Sequence, residues 1–415
     1  MKRQVVVTGI GCVSPFGVGT DILWNSLKEG KSGVRTLDVV DIDKHTVKIG
    51  GSIPPFDPSP YVDSKDARRM DKFILSAVTA ATIAIEDSKL DLTKEDLTRI
   101  GVISGSSAGG LDTIQKNWEM MSKRGFNKSS PFMVPMMIIN MAAGKISMKY
   151  GLKGISKSVV SACATGAHSL GDAFRAIQCD DADIMVAGGC EAGICDLGLG
   201  AFESARALST RNDDPKTASR PYDIDRDGFI MSEGAGIMIL EEKEHALKRG
   251  AKIYAEFAGY GQSSDAYDVV MPDPEGNGAV LAMQNALKDA NLKPEDIDYI
   301  NAHGTSTPLG DIAESQAIAK VFGDKEKNTN LLVSSTKSMT GHMLGAAGSA
   351  EAIISVLAMN EGIVPPTINI FNQDPKVANL DYVKDKARKK EINAVMSNSF
   401  GFGGCNAVLV FKKFK

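Results

Sequence analysis

Short apolar runs that stop at glycine recur along the whole chain and constrain its fold more than any other feature. Val5–Thr8 runs into Gly9-Ile10-Gly11, Ile100–Ser104 into Gly105, Ile184–Ala187 into Gly188-Gly189, and Ile253–Gly261 closes on Gly259-Tyr260-Gly261. Runs that are apolar on both faces suit strands buried from both sides. The same reading predicts strands at Ser158–Ala162, Gly236–Glu241, Asp298–Asn301, Leu331–Ser334, Ala394–Ser397 and Ala407–Phe411. Helical patterns fall at Ser64–Asp87, Gly166–Gln178, Gly278–Ala290, Asp311–Phe322 and Gly348–Asn360. The alternation predicts an α/β fold in which helices cover sheets.

The chain also echoes itself. A strand leads into Cys163 and then Thr165-Gly166; another leads into Lys337 and then Thr340-Gly341-His342. Ile184–Gly189 and Ala394–Gly404 each carry a strand towards a glycine pair. The expectation is two related halves, residues 1–250 and 251–415, with chance similarity between βα units as the rival. A length of 415 residues suits two domains or one duplicated core.

Composition excludes several classes. The net charge of −4 offers no general attraction for nucleic acid, so a charged partner must be recognised by a local patch. The six Cys form no CxxC and the five His form no HxxxH, so no metal is expected. A chain this large needs no disulfide framework, and Met1-Lys2-Arg3-Gln4 enters a strand without a signal-peptide core; a cytoplasmic protein is expected. The most apolar stretch, Met133–Ala143, is too short to cross a bilayer and reads as a buried helix or an interface segment. Gly9-Ile10-Gly11 lacks a third glycine and meets Pro15, which argues against a dinucleotide site.

Four segments carry chemistry. Cys163, in Ser161-Ala162-Cys163-Ala164-Thr165-Gly166, falls where a strand gives way to a helix, and the helix dipole favours a thiolate there. Five other Cys read as structural. His303 lies in Asn301-Ala302-His303-Gly304-Thr305-Ser306-Thr307-Pro308, and His342 in Lys337-Ser338-Met339-Thr340-Gly341-His342. Both follow strands and sit in loops that present a side chain. His168 is expected to pack, and His45 and His245 to lie on the surface. Asn398-Ser399-Phe400-Gly401-Phe402-Gly403-Gly404 has the glycine content of a loop whose N–H groups face a ligand, or of a plain turn.

Together these segments resemble the β-ketoacyl-acyl carrier protein synthases, most closely the type II enzymes. Ala205–Asn212 and Ser219-Arg220-Pro221-Tyr222-Asp223 are similar to that family as well. The resemblance implies the thiolase fold, two α/β halves stacked as five layers (αβαβα), and a homodimer. It implies that Cys163 carries the acyl chain, that His303 and His342 assist decarboxylation of malonyl-carrier, and that the N–H groups of Cys163 and Phe402 hold an oxyanion. It further implies a charge network of Lys337, Glu351 and Asp311, and contact of Thr305 and Thr307 with the phosphopantetheine arm. Phe400 and Phe202 match substrate-pocket residues, and Phe402 matches a gate. Lys65, Arg68, Arg69, Lys128 and Arg206 match or neighbour basic contacts for an acidic acyl carrier protein. No cofactor, nucleic acid or membrane is implied.

The chain departs from the family pattern at three places. Ala108 is smaller than the usual aliphatic residue of the acyl pocket, Asp268-Val269-Val270 replaces a His- and Thr-rich loop, and Cys405 replaces Thr. Three rival functions stay open at this point: a stand-alone polyketide ketosynthase, a chain-length-factor-like partner, which would lack Cys163, and a thiolase, for which Cys405 is the only second cysteine worth checking.

Overall fold

The computed structural model describes residues 2–415. Its main sheet has 11 strands, of which ten form one continuous path and the short Gly17–Val18 pairs aside with Val5–Ser14. Five come from the first part of the chain, in the order Ser156–Lys157, Ile100–Gly105, Ile184–Glu191, Gly234–Glu242, Val5–Ser14. Five come from the second part, in the order Leu332–Ser334, Tyr299–Asn301, Ala394–Gly401, Cys405–Lys412, Ala255–Ser264. Each array pairs its first three strands in parallel and its last three antiparallel. The two arrays meet where Val5–Val7 pairs with Ala255–Phe257.

Helices Thr165–Gln178 and Ala347–Glu361 fill the space between the arrays. The second is apolar nearly all round, as a fully buried helix must be, and Ala350, Ile353, Ile354 and Val356 are all inaccessible. The helices approach at two glycines. A Cβ on Gly166 would lie 2.8 Å from Ser349 N, and one on Gly348 would lie 2.8 Å from Ala167 N. Helix Lys72–Ser88 covers the outer face of the first array, and Gly9 and Gly11 lie directly under the Ala84 and Ala80 carbonyls. These glycines serve helix–strand contact and leave no room for a phosphate.

Four expectations are corrected by the structure. The strand predicted at Ser158–Ala162 ends at Lys157, and the chain reaches Cys163 through irregular backbone and a short 3₁₀ turn, Ala162–Ala164. The helix predicted over Ser64–Asp87 is two, Ser64–Ala67 and Lys72–Ser88. Asp71 caps the second by accepting Phe73 N at 3.3 Å while also accepting Thr113 Oγ1 at 2.6 Å. Met133–Ala143 is broken into Met133–Met137 and the start of Met141–Tyr150, and Val134 is exposed. The counterpart of the Cys163 turn is the 3₁₀ turn Leu344–Ala346 before helix Ala347–Glu361, not the Lys337 segment. Ala162 (φ +49°) and Leu344 (φ +47°) open the two turns in the same left-handed conformation.

Candidate active site

Cys163 sits in a strained elbow. The positive φ of Ala162 turns the chain sharply, and Thr165 Oγ1 accepts Ser161 N at 2.9 Å to hold the turn closed. Cys163 is 8% exposed and lies in the 3₁₀ turn that leads into helix Thr165–Gln178. Burial, with Glu191 nearby, pushes its thiol up to about 12 even against the pull of the Lys337 ammonium and the Phe402 and Cys163 N–H groups. A helix N-terminus supplies at most ~2 kcal/mol, or about one and a half pKa units. That is less than the push from burial, so the helix start alone does not offset what burial does to the thiol.

His303 follows strand Tyr299–Asn301. Glu314, on helix Gly310–Phe322, accepts His303 N at 2.8 Å, Gly304 N at 2.7 Å and Asn398 Nδ2 at 3.1 Å. One carboxylate thereby joins the His303 loop to strand Ala394–Gly401. His342 is fixed by its backbone: its N–H donates to Ile230 O at 2.7 Å, and its carbonyl accepts Ser232 N at 2.9 Å. Its ring is 2% exposed and both ring nitrogens lack a partner. The two imidazoles stand edge to face, centroids 5.4 Å apart at 85°. Phe229 packs edge-on against His342 at 5.3 Å, and Phe400 lies 5.8 Å from His303.

Lys337 is 1% exposed and forms an ion pair with Glu351, itself buried. Its Nζ is 3.5 Å from His303 Nδ1. With the ammonium donating, Nδ1 accepts and the ring proton resides on Nε2. Burial, with Lys337 and His342 nearby, holds His303 well below its ordinary value; burial and Lys337 do the same to His342. Both rings are neutral at pH 7. Burial pushes Glu351 up to about 7 against the pull of Lys337.

Cys163, His303, His342, Thr305, Thr307, Phe400, Phe402 and Arg206 all border one cavity of about 420 Å³. The Thr305 and Thr307 hydroxyls are 3.0 Å apart. Phe202 lies behind, in the apolar cluster that surrounds Cys163, 5.6 Å edge-on from Phe229. Ala108 does not border the cavity; its N–H reaches Glu191 at 3.3 Å, and Glu191 also accepts Gly345 N. Lys65, Arg68 and Lys128 are exposed, and Arg69 stacks on Phe132 at 4.4 Å.

Asp311 requires a correction. It does not join Lys337: it faces Arg226 at 3.4 Å and accepts Ser306 N and Tyr222 N. Glu314, one helical turn along, holds the place nearer His303, and the sequence reading passed over it. Its signal was modest: a second acid on the helix that follows a chemistry-bearing loop. His45 and His245 are half-buried bridges between acids rather than plain surface residues. His168 packs as expected, 2.7 Å from Ser161 Oγ. Among the described residues no three His, Cys, Asp or Glu cluster to hold a metal ion, and no helix is long and apolar enough to cross a membrane.

The paired five-strand arrays, with a cysteine elbow and two neutral imidazoles on one cavity, define a thiolase-like condensing enzyme. Solved ketosynthases share the whole fold. A β-ketoacyl synthase from Burkholderia phymatum superposes with TM-score 0.91 at 37% identity, covering 100% of both chains. A type II polyketide ketosynthase bound to its acyl-carrier protein does so with TM-score 0.91 at 34% identity over 100% of both chains. Sequence models of the β-ketoacyl synthase N-terminal and C-terminal domains match residues 2–246 and 254–371, and the chain belongs to the β-ketoacyl synthase family. Among curated relatives, 3-oxoacyl-[acyl-carrier-protein] synthase 2 of Coxiella burnetii is 50% identical over 99% of both chains, and that of Vibrio harveyi is 48% identical over 99% of both.

Proposed function

We propose that the chain is a β-ketoacyl-[acyl-carrier-protein] synthase that elongates fatty acids by decarboxylative condensation. The observation that carries this reading is the placement of a buried thiol and two unprotonated imidazoles on one cavity in a chain that matches the synthase 2 relatives end to end.

The thiol of Cys163 attacks the carbonyl of an acyl-carrier thioester. Its proton passes to an unpartnered nitrogen of His342 as the carbon–sulfur bond forms, and the carrier sulfur departs as a thiol by taking that proton. The tetrahedral oxyanion is met by the N–H groups of Cys163 and Phe402. Malonyl-carrier then enters with its arm against Thr305 and Thr307. Loss of CO₂ leaves an enolate whose oxygen accepts hydrogen bonds from His303 Nε2 and His342. The carbanion attacks the acyl-Cys163 carbonyl, the new carbon–carbon bond forms as the carbon–sulfur bond breaks, and Cys163 leaves as a thiolate that takes a proton from solvent. The unpartnered nitrogens of His342 suit this role, because a substrate oxygen would satisfy a buried donor that nothing else satisfies. Neutral rings suit it as donors that do not have to lose charge.

The halves 1–250 and 251–415, a homodimer, cytoplasmic residence and the absence of any cofactor belong to the same reading. Arg206, at the cavity, would meet the acidic carrier, with Lys65, Arg68, Arg69 and Lys128 as outer contacts. The polyketide reading draws on the 34% identical carrier-bound ketosynthase, but the 50% identical relatives favour fatty acid elongation. Incubation with acyl-carrier protein is expected to add one acyl mass at Cys163 and none to Cys163→Ala. Full condensation by Cys163→Ala sinks the mechanism.

A further inference from the structure

Thr305 and Thr307 stand on a loop that the backbone resists. Ser306, between them, has φ +71°, a conformation that costs energy and persists only when its surroundings impose it. Asp311 accepts Ser306 N at 3.1 Å, Ser306 Oγ accepts Arg220 N at 3.0 Å, and Ser306 O accepts Gly228 N at 3.2 Å. The strongest anchor is Arg226, whose side chain is 2% exposed. Its Nε donates to Thr307 O at 3.0 Å and one terminal nitrogen donates to Pro308 O at 2.7 Å. The other terminal nitrogen donates to Asp223 O at 2.6 Å and Asp374 at 2.9 Å, and Asp311 lies 3.4 Å from Nε.

A buried guanidinium flanked by two carboxylates has a fixed position, and its planar fork directs hydrogen bonds where an ammonium cannot. Here two of those bonds end on the carbonyls of Thr307 and Pro308, beside the cavity. The Thr307 hydroxyl therefore faces Thr305 at 3.0 Å because the loop beneath it is clamped. Three residues further along the same segment, Phe229 packs on His342, so the clamp and the imidazole share one support.

We infer that Arg226 is a positioning residue that sets the Thr305–Thr307 pair to grip the carrier-borne arm of the substrate. The inference rests on reading those threonines as arm contacts. It assigns Arg226 no contact with substrate and no part in proton transfer. Losing the fork is expected to weaken binding of malonyl-carrier more than it slows the bound complex.

The test is a cycle of Arg226→Lys, Thr307→Ala and the double variant, with KM and kcat measured on malonyl-carrier. Stoichiometric alkylation of Cys163 shows that each variant is folded. Arg226→Lys is expected to raise KM about tenfold with a smaller fall in kcat. The double variant is expected to stay within about twofold of the worse single variant, as for residues acting through one another. If Arg226→Lys does not fold, Asp374→Asn replaces it in the same cycle with the same expectation. A raised KM for Thr307→Ala with an unmoved KM for the Arg226 or Asp374 variant overturns the inference, and so do effects that multiply. An unmoved KM for Thr307→Ala overturns the arm reading itself, and the inference falls with it.

Discussion

Gly401→Ala places one methyl group against the turn that carries the nucleophile. Gly401 has φ −109°, which any residue adopts, so the substitution introduces no backbone strain. Its Cβ would stand 2.6 Å from Ser161 O and 3.2 Å from both Cys163 N and Ala164 N. All three are main-chain atoms of a turn already held by Ala162 and Thr165, so none can rotate away. Restoring ordinary contact requires the Gly401 loop to retreat by roughly half an ångström or more. Phe402 is the next residue and moves with it, which separates its N–H from the Cys163 N–H, the two donors proposed to meet the oxyanion. Loss of one such donor costs about 10²–10³ in kcat, or about 3–4 kcal/mol, so a displaced donor is expected to cost about 10². Overpacking adds about 1–3 kcal/mol of destabilisation. Rapid-quench transfer of an acyl group to Cys163 and steady-state condensation read the first effect, and urea unfolding reads the second. Gly403→Ala is the control: it has φ +79° and open space around its Cβ, so it adds strain of about 1–2 kcal/mol without crowding Cys163. Condensation by Gly401→Ala within about threefold of wild type refutes the steric reasoning. Equal impairment of both variants refutes it as well.

Lys337→Met removes the cation that holds His303 and His342 down and Glu351 charged. Both imidazoles then rise, and the acid limb of the condensation profile is expected to move to higher pH; an unshifted limb rejects the electrostatic role. Glu351, already raised to about 7, rises further. A raised folded-state value gives stability present at low pH and lost as pH rises, so the penalty, about 3–5 kcal/mol for a broken buried pair, should be larger at pH 8.5 than at pH 6 by urea unfolding. Phe202→Ala opens the apolar cluster behind Cys163 and is expected to lengthen the acyl chains accepted. Product analysis over a panel of acyl-carrier lengths checks this, and an unchanged profile rejects it. Burial depresses His45, but its hydrogen bonds to Glu203 and Asp196 outweigh burial and raise it. His45→Gln should therefore cost about 1 kcal/mol below pH 6 and nothing by pH 9, because a raised histidine loses its contribution as pH climbs through its folded value. A pH-independent difference in unfolding midpoint would contradict this.

Much of the fold was legible because glycine-ended apolar runs report burial on both faces, and that signal is local. The errors arose where tertiary contacts decide. Ser158–Ala162 has a strand's composition, yet the elbow at Ala162 takes the chain out of the sheet. Arg68–Asp71 interrupts a helical pattern because the Asp71 carboxylate caps one helix while binding Thr113, 42 residues away. The internal repeat was sensed through the wrong segment. Lys337 shares a sequence rhythm with Cys163, but only the paired turns at Ala162 and Leu344 show which positions correspond.

By itself, the sequence determined which residues could carry chemistry. One cysteine at a helix start, two loop histidines and a glycine-rich terminal loop are chemical identities, and no packing changes them. Only the tertiary structure decided their state and company. Burial pushes the Cys163 thiol up and both imidazoles down, because the cost of charge depends on what surrounds a group and not on its neighbours in the chain. It assigned Glu314 to the His303 loop, turned Asp311 towards Arg226, and left the nitrogens of His342 bare beside Cys163. Cys163 and Phe402, 239 positions apart, meet there because the two strand arrays pack the same way on a shared pair of central helices.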